Sequence, residues 1–210
     1  MKTAIQIVLF AVAIALGYFI YKGIEKPISF EKAKKERYDV TIQRLKDIRK
    51  AQVAFKDVYG HYAADWDSLI NFVKHDSLRL VRKIGILTDS MVDAGLDEKK
   101  AIKKGLLIRD TVRVSVLDSL FGKSYAVDQL KVVPVKDTVA YFHLGATVIP
   151  TASGISVPVF EACVHNNTVL KGLDRQEIIN LNDKRRTNDL YPGLKVGSLE
   201  ETNNNAGNWE

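Results

Sequence analysis

An apolar run near the N-terminus, Ala4 to Tyr21, constrains this chain more than any other feature of its sequence. The run (AIQIVLFAVAIALGYFIY) contains one strongly polar side chain, Gln6. At about 1.5 Å per residue, a helix of this length is long enough to cross the hydrocarbon layer of a bilayer, which is roughly 30 Å thick. The run therefore predicts one transmembrane helix, and the lipid bilayer is the first expected partner.

Aromatic and basic side chains follow at the end of this run. We expect Tyr18 and Tyr21 at the membrane interface and Lys22 and Lys26 at headgroup depth, because amphipathic and long basic side chains favour these layers. The triplet Ala13-Ile14-Ala15 has the form of a signal-peptidase site but lies inside the apolar run. We therefore expect an uncleaved anchor, and we assign residues 1–26 to it and its basic flank.

The charge of the chain is concentrated beside this anchor. The sequence has 31 Lys and Arg against 25 Asp and Glu, a formal net charge of +6. The first fifty residues carry eleven of these basic residues and five of the acids, and the rest of the chain carries twenty of each. A basic membrane-proximal segment explains this pattern better than a basic nucleic-acid-binding face, so no nucleic-acid partner is expected.

A tripeptide of Asp, then Ser or Thr, then an apolar residue occurs six times after the anchor. Such residues commonly end turns and cap elements, which needs no further function. The tripeptide also resembles the acceptor site of the general O-glycosylation system of Bacteroidetes, which modifies exported proteins. The acceptors implied by this resemblance are Ser68, Ser77, Ser90, Thr111, Ser119 and Thr138.

The two sides of the membrane are supported by different observations. Six basic residues follow the span and only Lys2 precedes it, so the positive-inside rule favours a cytoplasmic body. Glycosylation would instead require a periplasmic body. The expected location is a bacterial inner membrane, with a single pass and the body in the periplasm, and the cytoplasmic alternative stays open.

A second helix is predicted from about Phe30 to Tyr59. Gly23 and Pro27 should break the membrane helix, Ser29 should cap the new one, and Gly60 should end it. The helix carries an apolar stripe, which we interpret as a face packed on a sheet rather than as a coiled coil. Where the sheet leaves it uncovered, this stripe is also the candidate interaction face, whose members are Tyr38, Ile42, Leu45, Ile48 and Phe55.

The remaining sequence changes from helical to strand periodicity. Asp65 and Asp97 are expected to cap short helices, around Trp66 to Val73 and Glu98 to Lys104. Antiparallel strands are predicted at Val112–Val116, Ser124–Val133, Thr138–Ile149 and Ile155–Val164, and residues 174–190 are expected to be partly helical. The fold class is thus α+β: residues 27–76 hold a long and a short helix, 77–199 an α+β body, and 200–210 a polar tail in which Trp209 should pack on the body.

No motif of the sequence nominates a catalytic or metal centre. Cys163 is the single cysteine, the four histidines have no metal-ligand spacing, and there is no GxSxG nucleophile motif. We therefore expect a protein that is not an enzyme, with no cofactor and no small-molecule substrate.

The segment Arg44 to Phe55 (RLKDIRKAQVAF), followed by Tyr59-Gly60-His61-Tyr62, resembles type II secretion pseudopilins and related type IV pilins. This resemblance implies a membrane helix that continues into an amphipathic helix packed on a small antiparallel sheet. The prepilin cleavage motif is absent from Met1 to Gln6, so we expect a fixed anchor. The resulting hypothesis is a membrane-anchored scaffold or interaction subunit of an envelope or secretion complex with protein partners. The alternatives are a tethered cytoplasmic adaptor and a tethered ligand-binding or enzymatic domain.

Overall fold

The computed structural model describes residues 2–84, 97–104, 106, 108–135, 139–151 and 154–210, and it confirms the α+β class. The chain divides into two compact units. The first unit comprises Met1–Arg49 and Lys131–Glu210, and the second comprises Lys50–Leu130. These boundaries differ from those expected at residues 26, 76 and 199, because the C-terminal third of the chain packs with the N-terminal helix.

The elements alternate between helices and short strands. The helices are α1 (Lys2–Tyr59), α2 (Trp66–His75), α3 (Glu98–Lys103), α4 (Val116–Leu120), α5 (Asn166–Val169) and α6 (Arg175–Thr187), with a 3-10 helix at Val127–Lys131. The strands are β1 (Ser77–Ile84), β2 (Ile108–Ser115), β3 (His143–Pro150), β4 (Ser156–His165) and β5 (Gly193–Gly197).

Helix α1 runs without interruption through Pro27, so the predicted break at Gly23 and Pro27 is wrong. A proline in a helix interior removes one backbone hydrogen bond and crowds the carbonyl four residues earlier. Here Gly23 and Pro27 are both exposed, so the Gly23 carbonyl, which lies four residues before the proline, is accessible to other donors. Ser29 does not cap a new helix: its Oγ donates to the Lys26 carbonyl oxygen at 2.9 Å, inside the same helix.

The end of α1 is as predicted. Gly60 follows Tyr59 with a φ of 79°, a left-handed conformation that favours glycine, and its N–H donates to the Lys56 carbonyl oxygen at 2.7 Å. Just beyond it, the buried Gln52 side chain both donates to the Ala63 carbonyl oxygen, at 2.8 Å, and accepts from the Ala63 N–H, at 2.9 Å. These bonds hold the chain that leaves the helix against its last turns.

The first unit is built on an antiparallel sheet with the order β3-β4-β5 among its described strands. Its core includes Phe160 and Ala162 of β4 and Val196 of β5, all fully buried, as are Leu45 and Ile48 of α1. The burial of the helix and of the sheet within one unit agrees with the interpretation of the stripe as a packed face.

Two glycines allow β5 to lie close to β4. A Cβ atom at Gly193 would stand 2.1 Å from the Val164 carbonyl oxygen, and one at Gly197 would stand 2.1 Å from that of Phe160. Any side chain at these positions would clash with the neighbouring strand. The polar tail then folds back, and Gly207 forms an isolated bridge with Val196.

The second unit pairs β1 with β2 in antiparallel register, Ser77 opposite Ser115 and Ile84 opposite Ile108. Asp65 caps α2 by accepting from the Ser68 N–H at 2.8 Å, as predicted. Leu69 and Val73 of α2 are fully buried. Asp97 likewise caps α3, by accepting from the Lys100 N–H at 2.7 Å.

Some of the predicted strands need correction. The segment Ser124–Val133 holds the 3-10 helix instead of a strand, and Val116 begins α4, capped by Ser115. In the segment Thr138–Ile149, the strand β3 begins only at His143, and residues 136–138 lie outside the described residues. The strands predicted around Val112 and Val164 are confirmed, and residues 174–190 contain α6.

Candidate membrane anchor and partner surfaces

The N-terminal half of α1 is apolar and fully exposed. It contains an eighteen-residue window with a mean hydropathy of 2.1, none of which is buried inside the protein. Within the described residues this is the one helix long and apolar enough to cross a membrane, by length and composition. A soluble core helix of this composition would be mostly buried, whereas a signal sequence would meet the same criterion.

The predicted interface residues lie together at the end of this window. Tyr18 packs edge-on against Phe19, with ring centroids 6.1 Å apart, and the Lys22 Nζ lies 5.2 Å from the centroid of the Tyr18 ring. Tyr21 and Lys26 are also exposed. The aromatic and basic side chains therefore form one band around α1, which is the arrangement that favours a membrane interface.

The candidate interaction face is largely inside the protein. Leu45 and Ile48 are fully buried, Phe55 is 7% exposed, and Tyr38 and Ile42 are half-buried. A partner cannot bind side chains that are already enclosed by their own chain, so this prediction is corrected: the stripe is a core face. Val40 of α1 is 54% exposed and lines a groove with Pro134 and Val135.

Exposed apolar side chains lie instead on and around β3. Val148 on the strand, Ile155 in the turn to β4, and Tyr141 just before the strand are each more than half exposed. Among the described strands β3 pairs only with β4, so from His143 onward its other edge has no described strand beside it, whereas Tyr141, just before the strand, forms an isolated bridge with Val132. The opposite edge of the sheet, β5, is covered by the tail at Gly207. The β3 edge is therefore the better candidate for a protein partner.

The candidate glycan acceptors occupy different elements. Ser68 and Ser119 are exposed in the first turns of α2 and α4, Thr111 is exposed on β2, and Ser77 begins β1. Ser90 and Thr138 lie outside the described residues. Ser68 also donates from its Oγ to the Asp65 carboxylate at 2.9 Å. The turn-and-cap interpretation fits Asp76, which ends α2, but not Asp110 and Thr111, which lie within β2. Glycosylation of any of these positions stays a prediction.

A buried polar network joins α1 to α5 and α6. The Tyr38 hydroxyl donates to Asn166 Oδ1, Asn166 Nδ2 donates to Asn182 Oδ1 at 2.9 Å, and Asn182 Nδ2 donates to Asn167 Oδ1 at 2.8 Å. Burial raises the pKa of the Tyr38 hydroxyl, so it stays a neutral donor. Sequence analysis missed this network because nothing in the spacing of these residues brings them together.

Arg37 adds a second connection between the same elements. Its guanidinium donates from Nη1 to the carbonyl oxygens of Val169, at 3.1 Å, and Lys171, at 2.7 Å. These groups follow the C-terminal end of α5, where carbonyl oxygens are left without helical partners and a cation is favourable. The chain after α5 is thereby held beside the part of α1 that follows the apolar half.

The surroundings of the single cysteine do not activate it. Cys163 is buried on β4, and this burial raises the pKa of its thiol. Burial likewise raises the pKa of Tyr191, whose hydroxyl is hydrogen-bonded to Cys163. A thiolate nucleophile needs an environment that lowers its pKa, so this thiol is a core side chain.

The described residues hold no group of three or more His, Cys, Asp or Glu side chains that could bind a metal ion. The imidazole of His165 has a pKa lowered by burial and by the nearby Arg186 guanidinium, and its Nδ1 accepts from the Asn167 N–H at 3.1 Å. It serves as the cap of α5.

In comparisons with known proteins, no family model, no curated protein and no solved structure matches this chain.

Proposed function

We propose that the chain is a non-enzymatic, single-pass scaffold or interaction subunit with a pilin-like architecture, anchored in the inner membrane of a bacterial envelope. The observation that carries this proposal is the division of one unbroken helix into two parts. Up to Ser29 the described side chains of α1 are exposed and mostly apolar, whereas from Phe30 onward one face of it is buried with an antiparallel sheet.

Such a helix supports both tasks of the proposed function. Its first part has the length and hydropathy for a bilayer, and its second part holds a folded unit next to that bilayer. The β3 edge then supplies a surface for a partner in an envelope or secretion complex. The resemblance of residues 44–62 to pseudopilins points to the same kind of assembly.

Photo-crosslinking in cells would test the interaction role. A photoreactive amino acid at Val148 should form discrete adducts with a partner, whereas the same group at Leu190, which is 53% exposed, serves as the matched control. Substitution Ile155→Asp should abolish the Val148 adduct without lowering the amount of protein in the membrane. Equal adducts at both positions, or a turnover by the purified chain that depends on one residue, would overturn the proposal.

The topology requires a separate experiment, because the charge rule and the tripeptides point to different sides. Alkaline phosphatase and a fluorescent protein, each fused after Glu210, distinguish the two compartments. An active phosphatase with a dark fluorophore would support the periplasmic body that we propose. The opposite result would reverse the orientation and favour the tethered cytoplasmic adaptor.

A further inference from the structure

A groove lies where α1 leaves the apolar segment. On one side it is lined by Lys26, Ser29, Phe30 and Ala33, which share one face of α1, and on the other by Leu173 and Asp174, which precede α6. Its volume is about 300 Å³. All six residues belong to the first unit. The groove therefore joins the membrane-proximal helix to the turn between α5 and α6.

The position of this groove along α1 coincides with a headgroup layer. Lys22 ends the apolar segment, and Lys26 and Phe30 lie about 6 Å and about 12 Å farther along the helix axis. The interfacial layer on each side of a bilayer is about 5–8 Å thick. The Lys26 end of the groove would thus open among the headgroups, while Phe30, the first buried residue of α1 among those described, would stand just outside them.

The groove has a cation at its membrane end and carbon surface beyond it, where the outer end of an anionic headgroup would lie. Lys26 is exposed and supplies a cation, while Phe30, Ala33 and Leu173 supply an apolar wall. Asp174 is the one acid of the lining, and its carboxylate is engaged as the cap of α6, where it accepts from the N–H groups of Gln176 and Glu177.

Basic side chains outnumber acids around the groove. Between Lys22 and Arg37 the helix carries six Lys and Arg against three Glu, one of which, Glu31, is paired with Lys34 at 2.6 Å. Lys171 and Arg175, both exposed, flank the Leu173–Asp174 turn in the sequence. Basic clusters next to a membrane span attract anionic lipids.

We propose that this groove binds the headgroup of an anionic phospholipid, with the Lys26 ammonium on the phosphate and the terminal glycerol of a phosphatidylglycerol headgroup, which lies beyond the phosphate, directed toward Phe30 and Leu173. The bound lipid would hold the turn between α5 and α6 at the bilayer surface. This inference rests on the proposed membrane anchor, and it adds to that proposal a specific lipid contact made by the folded unit.

The first experiment measures which lipids the full chain retains. The protein is reconstituted in vesicles in which about one lipid in four is phosphatidylglycerol and the rest phosphatidylcholine, then purified in mild detergent, and its bound lipids are weighed by mass spectrometry. We expect enrichment of phosphatidylglycerol, reduced about tenfold by Lys26→Gln, because the bound phosphate loses a charge-assisted hydrogen bond, and the surface attraction shared by other lysines is absent once the bilayer is replaced by detergent. Ala33→Leu, which fills the groove and keeps the charge, should also reduce it.

Two matched controls separate the groove from diffuse attraction. Lys50→Gln changes an exposed lysine far along the same helix and should leave the enrichment unchanged. Lys22→Gln removes a charge at headgroup depth that does not line the groove, and its effect should be much smaller than that of Lys26→Gln. Equal losses for Lys22→Gln and Lys26→Gln, or no loss for Ala33→Leu, would overturn the proposal.

A second readout locates the turn itself. In a Cys163→Ala background, a fluorophore at Gln176→Cys should be quenched by nitroxide-labelled headgroups in the anionic vesicles, whereas one at Thr202→Cys should not. Flotation of the vesicles after alkaline washing tests the anchor independently. A chain that floats without phosphatidylglycerol enrichment refutes the headgroup site alone, and a chain that does not float refutes both proposals.

Discussion

Arg49 of α1 lies 2.7 Å from Glu210, its Nη1 atom donating to Oε1 of the carboxylate. The same guanidinium donates to the Asn205 carbonyl oxygen at 3.2 Å. The tail therefore contacts the helix at two points, and the Trp209 ring lies directly over Gly207, where an added Cβ would stand 2.3 Å from it. Residues 200–210 have the polar composition of a tail, but specific contacts hold them against the helix.

Substitution Arg49→Gln should release this tail. We expect faster hydrogen exchange at the Asn208 amide, which donates to the Lys195 carbonyl oxygen at 3.0 Å, because both Arg49 contacts are lost together. Exchange in α2 should not change. Lys74→Gln, which removes the 2.7 Å ion pair with Asp128, is the control, and it should leave Asn208 protected.

The same contact makes the tail sensitive to acid. The hydrogen bond from Arg49 holds the pKa of Glu210 below its ordinary value, so the folded state favours the ionised carboxylate. Its contribution is complete above the ordinary pKa of a glutamate and is lost as the pH falls through the lowered pKa. In a Trp66→Phe background, Trp209 fluorescence should change over that acidic range, and a profile identical to that of Arg49→Gln would contradict this link.

Substitution Tyr38→Phe tests the buried network. Removing the hydroxyl leaves Asn166 Oδ1 with one donor fewer in a fully buried position, which should lower the free energy of unfolding by about 1 kcal/mol. The measurement is urea unfolding of the detergent-solubilised full chain. Tyr141→Phe, at a ring that is 57% exposed, should lower the free energy of unfolding much less. Equal decreases for the two variants would show that the network adds no stability.

Substitution Leu45→Ala distinguishes a core face from an interaction face. Loss of a fully buried leucine should destabilise the first unit by about 2–5 kcal/mol, because a cavity replaces the packed side chain. Val40→Ala, at a side chain that is 54% exposed, should change the free energy of unfolding by much less, about 1 kcal/mol or below. An unchanged unfolding midpoint for Leu45→Ala would contradict the core face and favour the interaction face instead.

Cys163 should react slowly in the folded protein. Its raised pKa keeps it in the thiol form at neutral pH, and its burial blocks access, so a maleimide reagent should label it only after denaturation. Raising the pH to 8 should increase the labelling rate of Cys163 far less than the labelling rate of an exposed thiol, such as the one introduced by Thr202→Cys. Rapid labelling at neutral pH would indicate an accessible thiolate instead.

Features determined by neighbouring residues were predictable from the sequence. Asp65 and Asp97 cap their helices and Gly60 ends α1, because each of these depends on a hydrogen bond or a backbone conformation within a few residues. The segment Ser124–Val133 was misjudged by its β-branched composition. The 3-10 helix that forms there, Val127–Lys131, buries Val127 and Leu130, which are three positions apart, as the period of such a helix requires.

Features determined by distant residues were not predictable. Strand β5 has five residues, the first and last of them glycine, and it forms because it pairs with β4 from His165 opposite Gly193 to Glu161 opposite Gly197. The candidate interface residues Tyr18 to Lys26 were read from local composition, whereas the groove at Lys26 needs Leu173, which only the fold brings near.

In the proposed membrane anchor, the unbroken course of α1 through Pro27 leaves no hinge between the apolar segment and the sheet of the first unit. A flexible tether would let the folded unit turn freely about the membrane normal, so that the β3 edge could face any direction. A continuous helix instead couples the direction in which that edge faces to the rotation of the proposed span about its own axis. A neighbouring membrane helix that fixes the rotation of the apolar segment would therefore also fix the direction in which the β3 edge faces.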